Sequence, residues 1–182
     1  RVERFLARAR QRHTKPLQYT HGEQHLYLGE AYPLAIHHAK LKKNRIGLID
    51  GEIHVNAALL QNEYIQTGLQ NWYQSKAMTI FSARPQVISK CAPWIKDKTV
   101  PLKLRRMKRT WGSCSSRGVI KLNTHLVKAP LAVIDSVIAH ELCHLEEMNH
   151  GTRFYALLEG LNPDWRQDRA RLRAQGFVYL LT

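Results

Sequence analysis

The sequence lacks a long apolar run, a secretory signal and a paired set of cysteines. No segment approaches the roughly 20 apolar residues that a membrane-spanning helix requires, and no basic, apolar and small-residue signal opens the chain. The three cysteines, Cys91, Cys114 and Cys143, are an odd number without a C-x-x-C pair. This usage favours a reducing compartment. We therefore expect a cytoplasmic protein without a membrane partner.

Acidic residues are also scarce. The 182 residues contain 14 Asp and Glu against 28 Lys and Arg, a net charge of +14. This excess favours anionic partners such as nucleic acid or acidic proteins, although general solubility explains it equally well. The charge concentrates at 103–109 ("KLRRMKR") and at 166–173 ("RQDRARLR"). The second run has helical spacing, which is typical of a solvated helix face.

Strand patterns fill the first third of the chain. Short alternating runs in "LQYTHGEQHLYLGEAYPLAIHHA", broken by two glycines, predict strands. The segment "NRIGLIDGEIHVNA" predicts a hairpin that turns at Asp50-Gly51. Residues 1–13 have the apolar spacing of a helix. Because the chain opens at Arg1 without an initiator methionine, we expect this β-rich part to be truncated.

Helical spacing follows over residues 61–94, where Pro85 is expected to separate two helices. Further strands are predicted around 102–104 and 119–122, joined by a turn at "SCSSRG".

Three more helices are expected in the last third of the chain. Pro130 should open a helix that continues to about Met148, and Gly151 and Pro163 should separate two more. Strands therefore come first and helices follow, which predicts an α+β fold. A break near residue 61 divides a β-rich part (1–60) from the remainder (61–182), and the two could form one continuous domain.

The segment "IAHELCHLEEMNH" carries an H-E-x-x-H motif. His140 and His144 are four residues apart, so on a helix they lie about 40° apart on one face and can reach one tetrahedral zinc ion. Glu141 flanks that face and could accept a proton from a water activated by the metal, without itself ligating the metal. The alternative is a polar helix whose histidines make ordinary hydrogen bonds.

A third ligand is expected at His150, six residues beyond His144. A continuous helix would turn His150 about 240° away, so the chain must leave the helix first. A related metalloprotease motif uses a glycine where this chain has Glu147. We therefore expect the exit at Asn149 and Gly151, which tolerate left-handed backbone.

Other residues near the motif have more than one interpretation. Glu159 is the alternative third ligand, from the next helix. Glu146 and Glu147 could accept hydrogen bonds from imidazole N–H groups. Cys143 lies on another face of the helix and is expected to serve packing.

Two stretches carry a family resemblance: "RRMKRTWGSCSSRGVIKLNTHLV" and "VIDSVIAHELCHLEEMNHGTRFYALLEGLNPDWRQDRARLR". Together they resemble the YgjP-like metallopeptidases, a family of predicted zinc-dependent hydrolases, and more distantly the SprT and WLM peptidase groups. The likeness is dense from about residue 103 to 174. It implies a zincin-like core in which the H-E-x-x-H helix packs against a small mixed sheet. It also implies one zinc ion held by His140, His144 and His150, with Glu141 as catalytic base.

The same resemblance implies that the "WGSCSSRG" hairpin and the strand after it form a wall of the cleft. Family members tend to read Thr-Arg-Trp where this chain has Arg109-Thr110-Trp111. The candidate substrate contacts are Trp111, Ser113, Asn123 and Tyr155. The first three have an alternative role, since tryptophan is more often buried in a core, serine is common in turns and asparagine often satisfies a backbone group. Tyr155, Arg153 and His125 are candidates for stabilising an oxyanion.

The resulting hypothesis is a zinc metallopeptidase that hydrolyses peptide or protein substrates with a metal-activated water and a glutamate base. A rival hypothesis is a nucleic-acid-associated zinc module whose basic runs bind phosphate. A structural zinc would require a fourth protein ligand. A third hypothesis combines the two, as a protease that acts on DNA-bound proteins.

Overall fold

The computed structural model describes residues 16–40, 45–92, 94–95 and 100–181, so the helix predicted over residues 1–13 lies outside the described residues. The fold is α+β, as the order of strand and helix patterns predicts. Within the described residues, four helices accompany two small sheets. No helix in this part of the chain combines the length and apolar character needed to cross a membrane.

The first sheet contains four strands, in the order β1-β2-β4-β3. They are β1 (Gln24–Tyr27), β2 (Glu30–His38), β3 (Arg45–Ile49) and β4 (Glu52–Ala57). The predicted hairpin between β3 and β4 is confirmed, with Ile49 opposite Glu52. Its turn residues, Asp50 (φ 48°) and Gly51 (φ 80°), both adopt the left-handed backbone that a tight hairpin turn requires.

The long helix α1 (Asn62–Ile88) continues through Pro85, so the predicted division at this proline is wrong. The proline lies in the last turn, where its ring removes only the hydrogen bond to the carbonyl of Phe81. The buried face of the helix extends to the Phe81 side chain, which is fully buried. Packing therefore outweighs the loss of one backbone hydrogen bond.

The second sheet is mixed, with β5 (Leu102–Arg105) parallel to β7 (Ile120–Asn123) and β6 (Gly112–Cys114) antiparallel to β7. The turn predicted at "SCSSRG" begins later than expected, because Ser113 and Cys114 belong to β6. The reversal itself is made by Ser115 and Gly118, whose N–H donates to the Ser115 carbonyl at 2.8 Å.

Three shorter helices follow: α2 (Leu131–Cys143), α3 (Thr152–Leu161) and α4 (Trp165–Tyr179). Pro130 caps α2, and the predicted separation of the last helices at Gly151 and Pro163 is confirmed. α2 is shorter than predicted, since it ends at Cys143 and not near Met148.

The two sheets share one core, and backbone contacts fix the start of α2. At the β1–β2 turn, the N–H groups of Leu28 and Gly29 donate to the carbonyls of Val127 (3.0 Å) and Lys128 (3.1 Å). A Cβ on Gly29 would lie 2.8 Å from Cγ of Pro130, so this turn sits directly against the cap of α2. The division of the chain at residue 61 stays a prediction.

Lys128 is buried beneath α2, with only 5% of its surface exposed. Its ammonium donates to the Leu181 carbonyl at 2.7 Å and lies 5.1 Å from the centre of the Tyr73 ring. These contacts offset only part of the cost of removing the charge from water. Burial, with a smaller contribution from the Arg106 charge, lowers the pKa of Lys128 to about 7.

This lowered pKa predicts that the protein becomes more stable as pH rises above 7. Between about 7 and the ordinary lysine value of 10.5, the unfolded chain binds more protons than the folded chain, so the free energy of unfolding increases with pH. Lys128→Met should flatten this dependence in urea denaturation between about pH 7 and 9.5. Lys103→Met removes an exposed lysine and should leave the pH dependence of the unfolding free energy unchanged. A pH-independent difference between wild type and Lys128→Met would contradict the prediction.

Candidate metal centre

Three histidine side chains converge beside the end of α2. His140 projects from the last turn of α2 and His144 caps the helix, with their ring centres 5.0 Å apart. His150 comes from the following loop and places its Nε2 3.1 Å from Nε2 of His140. One nitrogen from each ring lies within 4.8 Å of the others. The spacing argument from the sequence therefore agrees with the arrangement of the three rings.

The chain reaches His150 by leaving the helix earlier than predicted. The N–H groups of Glu146 and Glu147 both donate to the Cys143 carbonyl, at 3.1 and 2.9 Å, which closes the helix immediately after His144. The predicted exit at Asn149 and Gly151 is wrong. Gly151 has φ −89° and caps α3, so it makes no use of left-handed backbone.

A backbone group, and not a carboxylate, orients His144. Nδ1 of His144 lies 3.0 Å from the Glu147 carbonyl oxygen, which accepts its hydrogen and leaves Nε2 free as a ligand atom. The carboxylates predicted for this role are engaged elsewhere. Glu146 accepts a hydrogen bond from Arg153 at 2.8 Å, and Glu147 accepts one from the Asn149 N–H at 3.3 Å.

Phe154, in α3, forms the floor of the histidine cluster. Its ring is fully buried, and its centre lies 4.9, 4.7 and 4.6 Å from the ring centres of His140, His144 and His150. This contact limits the movement of all three imidazoles. The sequence analysis did not identify Phe154, although it lies only four residues beyond His150 in the sequence.

The donor set suits a metal ion. In a tetrahedral zinc site, bonds of about 2.0–2.1 Å place two ligand nitrogens roughly 3.3 Å apart, close to the observed separation of His140 and His150. Burial, followed by the neighbouring charges of His144, His150 and Arg169, lowers the pKa of His140 to about 4. Burial also lowers the pKa of His150, with contributions from His144 and Arg169. Neutral imidazole is the form that binds a metal.

Glu141 lies in the cleft beside His140 and is 5% exposed. Burial raises the pKa of its carboxyl group to about 7, close to the value that suits a general base at neutral pH. Gly112 of β6 packs directly against this carboxyl group. A Cβ on Gly112 would lie 2.5 Å from Oε1 and 2.7 Å from Cγ of Glu141, closer than such atoms approach one another. Only glycine leaves Glu141 in this position.

For a reaction in which Glu141 is the base, Gly112→Ala is therefore expected to lower kcat/KM by roughly 100-fold, the cost of displacing a catalytic group by about 1 Å. The metal content should stay at the wild-type level, because the added methyl group meets Glu141 and not a histidine. Gly47→Ala, at a position with no atom within 4 Å of the added carbon, is the matched control. Wild-type activity in Gly112→Ala would show that the Glu141 position is not needed.

His140, His150 and Glu141 border a cleft of about 320 Å³, within the size range of ligand pockets. Of the predicted substrate contacts, Trp111 and Tyr155 line it, whereas Ser113 and Asn123 do not. Ser113 is exposed on β6. Asn123 is 1% exposed, and its amide donates to the carbonyls of Met107 and Thr110 at 2.7 and 3.0 Å. Its hydrogen-bonding capacity therefore serves the backbone.

The structure also separates the candidates for oxyanion stabilisation. Tyr155 lines the cleft, with its ring centre 6.4 Å from that of His150. Arg153 is largely exposed and paired with Glu146. His125 lines a different cavity, with Lys128. Tyr155 is the candidate that the fold brings to the metal centre.

Glu159, the alternative third ligand, is engaged away from the histidines. Its Oε2 accepts hydrogen bonds from Trp165 Nε1 at 2.7 Å and from Arg166 at 2.8 Å. Cys143 is fully buried against Phe154 and Trp165, and burial raises the pKa of its thiol to about 12. The packing role predicted for Cys143 agrees with this environment.

Comparison with known proteins identifies the family. A family model described as YgjP-like, metallopeptidase domain, matches residues 1–175, and the chain belongs to this family. It is accordingly a metal-dependent peptidase that acts on peptide substrates. A search of curated proteins found no match. Among solved structures, the chain is similar to the metallopeptidase zymogen of Pyrococcus abyssi abylysin, at 18% identity and a TM-score of 0.43, over 49% of this chain and 90% of that chain.

The resemblance found in the sequence is thus confirmed at the level of the family. The predicted nucleic-acid partner rests on the two basic runs at 103–109 and 166–173. In the first run, Arg105 is exposed and Arg106 donates to Gln70 at 3.1 Å. This partner and the cytoplasmic location stay predictions.

Proposed function

We propose that this protein is a zinc peptidase of the zincin type, in which His140, His144 and His150 hold one zinc ion and Glu141 is the general base. The observation that carries the proposal is the convergence of three imidazoles beside a buried glutamate at the edge of a cleft. Imidazole is a suitable ligand for zinc, as it is for several other transition metals.

The number of ligands supports a catalytic and not a structural metal. Within the described part of the chain, no fourth His, Cys, Asp or Glu joins the three histidines. A site with three protein ligands keeps a position open, which distinguishes catalytic zinc from closed structural zinc. When bound, zinc would supply a Lewis acid that polarises a carbonyl and favours ionisation of water.

The side chains of the chain itself perform the proton transfers. Glu141 accepts a proton from the attacking water at a carboxylate oxygen and then donates it to the leaving amine. The lack of space at Gly112 holds this carboxyl group in one position. Tyr155, which lines the cleft, would donate a hydrogen bond to the oxygen that becomes negative during attack. Trp111 and Tyr155 supply apolar surface for the substrate.

Metal analysis of the purified protein, combined with cleavage of a peptide library, tests this proposal. We expect about one zinc ion per chain, loss of cleavage on chelation and recovery on addition of zinc. Zinc bound without any peptide cleavage would favour the rival hypothesis of a nucleic-acid-associated zinc module. Salt-dependent binding to DNA would then support the nucleic-acid-associated zinc module.

A further inference from the structure

A shallow groove along α4 continues the cleft away from the metal centre. Arg166, Arg169 and Arg173 line this groove together with Trp165. Trp165 and Arg169 also line the cleft that contains His140 and Glu141, so the cleft and the groove are continuous. We refer to this surface as the arginine groove.

Helix geometry places the three arginines on one face of α4. At 100° per residue, Arg166, Arg169 and Arg173 fall within an arc of about 60°. Arg171, which is equally exposed, lies about 160° away from both Arg169 and Arg173. The arginines of this run are therefore not equivalent, because one face of the helix borders the cleft and the opposite face does not.

Among the described residues, two of the three arginines in the arginine groove have no paired acidic side chain. Arg166 is paired with Glu159 and stacks on Trp165, with its guanidinium 4.5 Å from the ring centre. Arg169 and Arg173 are exposed, and neither has an acidic side chain within 4 Å among the described residues. Asp168 lines the cleft, but it is 4% exposed and accepts a hydrogen bond from Asn162 at 3.2 Å.

We propose that the arginine groove selects peptide substrates with acidic residues at alternate positions on one side of the scissile bond. Arg169 and Arg173 are separated by one helical turn, about 6 Å along the axis of α4. In an extended peptide, side chains two residues apart point the same way and are about 6.6 Å apart. A Glu-x-Glu segment therefore has a repeat distance close to that of the two arginine positions along the helix, and each guanidinium group can bind a carboxylate through two hydrogen bonds. This specificity rests on the proposed peptidase function.

The test measures binding and cleavage separately. Three fluorescent peptides carry Glu-x-Glu, Gln-x-Gln or Lys-x-Lys on both sides of one cleavable bond. Each is titrated against the zinc-loaded Glu141→Gln protein, and binding is followed by fluorescence anisotropy. At low salt, we expect the Glu-x-Glu peptide to bind roughly tenfold more tightly than the Gln-x-Gln peptide, since exposed ion pairs contribute about two- to fivefold each. The preference should largely disappear at about 1 M salt, where the screening length is about 3 Å.

Charge-reversal variants test whether Arg169 and Arg173 cause the preference for the Glu-x-Glu peptide. Arg169→Glu and Arg173→Glu, each added to the Glu141→Gln background, should shift the preference towards Lys-x-Lys. Arg171→Glu changes the net charge equally on the opposite face and should keep the wild-type preference. Equal affinity for Glu-x-Glu and Gln-x-Gln, or an equal effect of Arg171→Glu, would overturn the proposal.

A cleavage assay with wild-type protein distinguishes failure of the arginine-groove proposal from failure of the proposed peptidase function. Cleavage of all three peptides at equal kcat/KM would overturn the arginine groove and leave the peptidase function intact. A binding preference without any cleavage would support the arginine groove and contradict the peptidase function.

Discussion

Glu141→Gln is expected to abolish peptide hydrolysis while the protein retains its metal. Glu141 neighbours His140 in the sequence, but it does not belong to the three-histidine ligand set. On the proposed mechanism, its loss therefore removes the base and no bond to the metal. General-base catalysis contributes about 10²–10⁴-fold, so kcat should fall by at least that range.

The fold should tolerate this change, because glutamine has nearly the same size as glutamate and fits the same space beside Gly112. Glu146→Gln is the matched control, since Glu146 pairs with Arg153 outside the cleft. Elemental analysis and single-turnover cleavage of one peptide give the two readouts. Loss of metal in step with activity would make Glu141 a ligand or a structural support, and full activity with bound metal would exclude it as the base.

His150→Ala is expected to weaken metal binding by more than about 100-fold, beyond the effect of removing a group that merely orients a ligand. The remaining pair, His140 and His144, would make a poor zinc site. Because His150 lies exposed in a loop, its removal should change the urea midpoint of the metal-free protein little.

Glu159→Ala serves as the control for the third ligand. Glu159 is bound to Trp165 and Arg166, so its removal should leave the metal affinity unchanged. Competition with a chromogenic chelator measures both variants. A loss of affinity in Glu159→Ala, with His150→Ala unaffected, would reverse the assignment.

The local parts of the site could be predicted from the sequence because they depend on helix periodicity alone. Residues four apart on a helix share a face, which places His140 and His144 together before any tertiary contact is known. The third histidine is expected only from its six-residue separation, as in a related metalloprotease motif, with Glu159 as the alternative. The point at which the chain leaves the helix could not be predicted, because the Cys143 carbonyl accepts both closing hydrogen bonds and no glycine marks the position.

The parts that the sequence analysis missed depend on contacts between distant segments. Gly112 and Glu141 lie on different elements, and only the packing of β6 against α2 brings them together. A glycine in a strand pattern is a general sign of close backbone approach, but it does not name the partner. Asn123 shows the converse, because a polar residue near the motif serves the backbone and not the substrate.

The close contact between Gly112 and Glu141 gives a criterion for recognising inactive relatives. A homologous chain could keep all three histidines and the glutamate, yet carry a side chain at the position of Gly112. On the proposed mechanism, such a chain would still bind metal but would have its base displaced, and it would be a pseudoenzyme despite an intact H-E-x-x-H motif. Sorting active from silent members of the family therefore requires reading two segments of the sequence together, the helix motif and the glycine that follows Trp111.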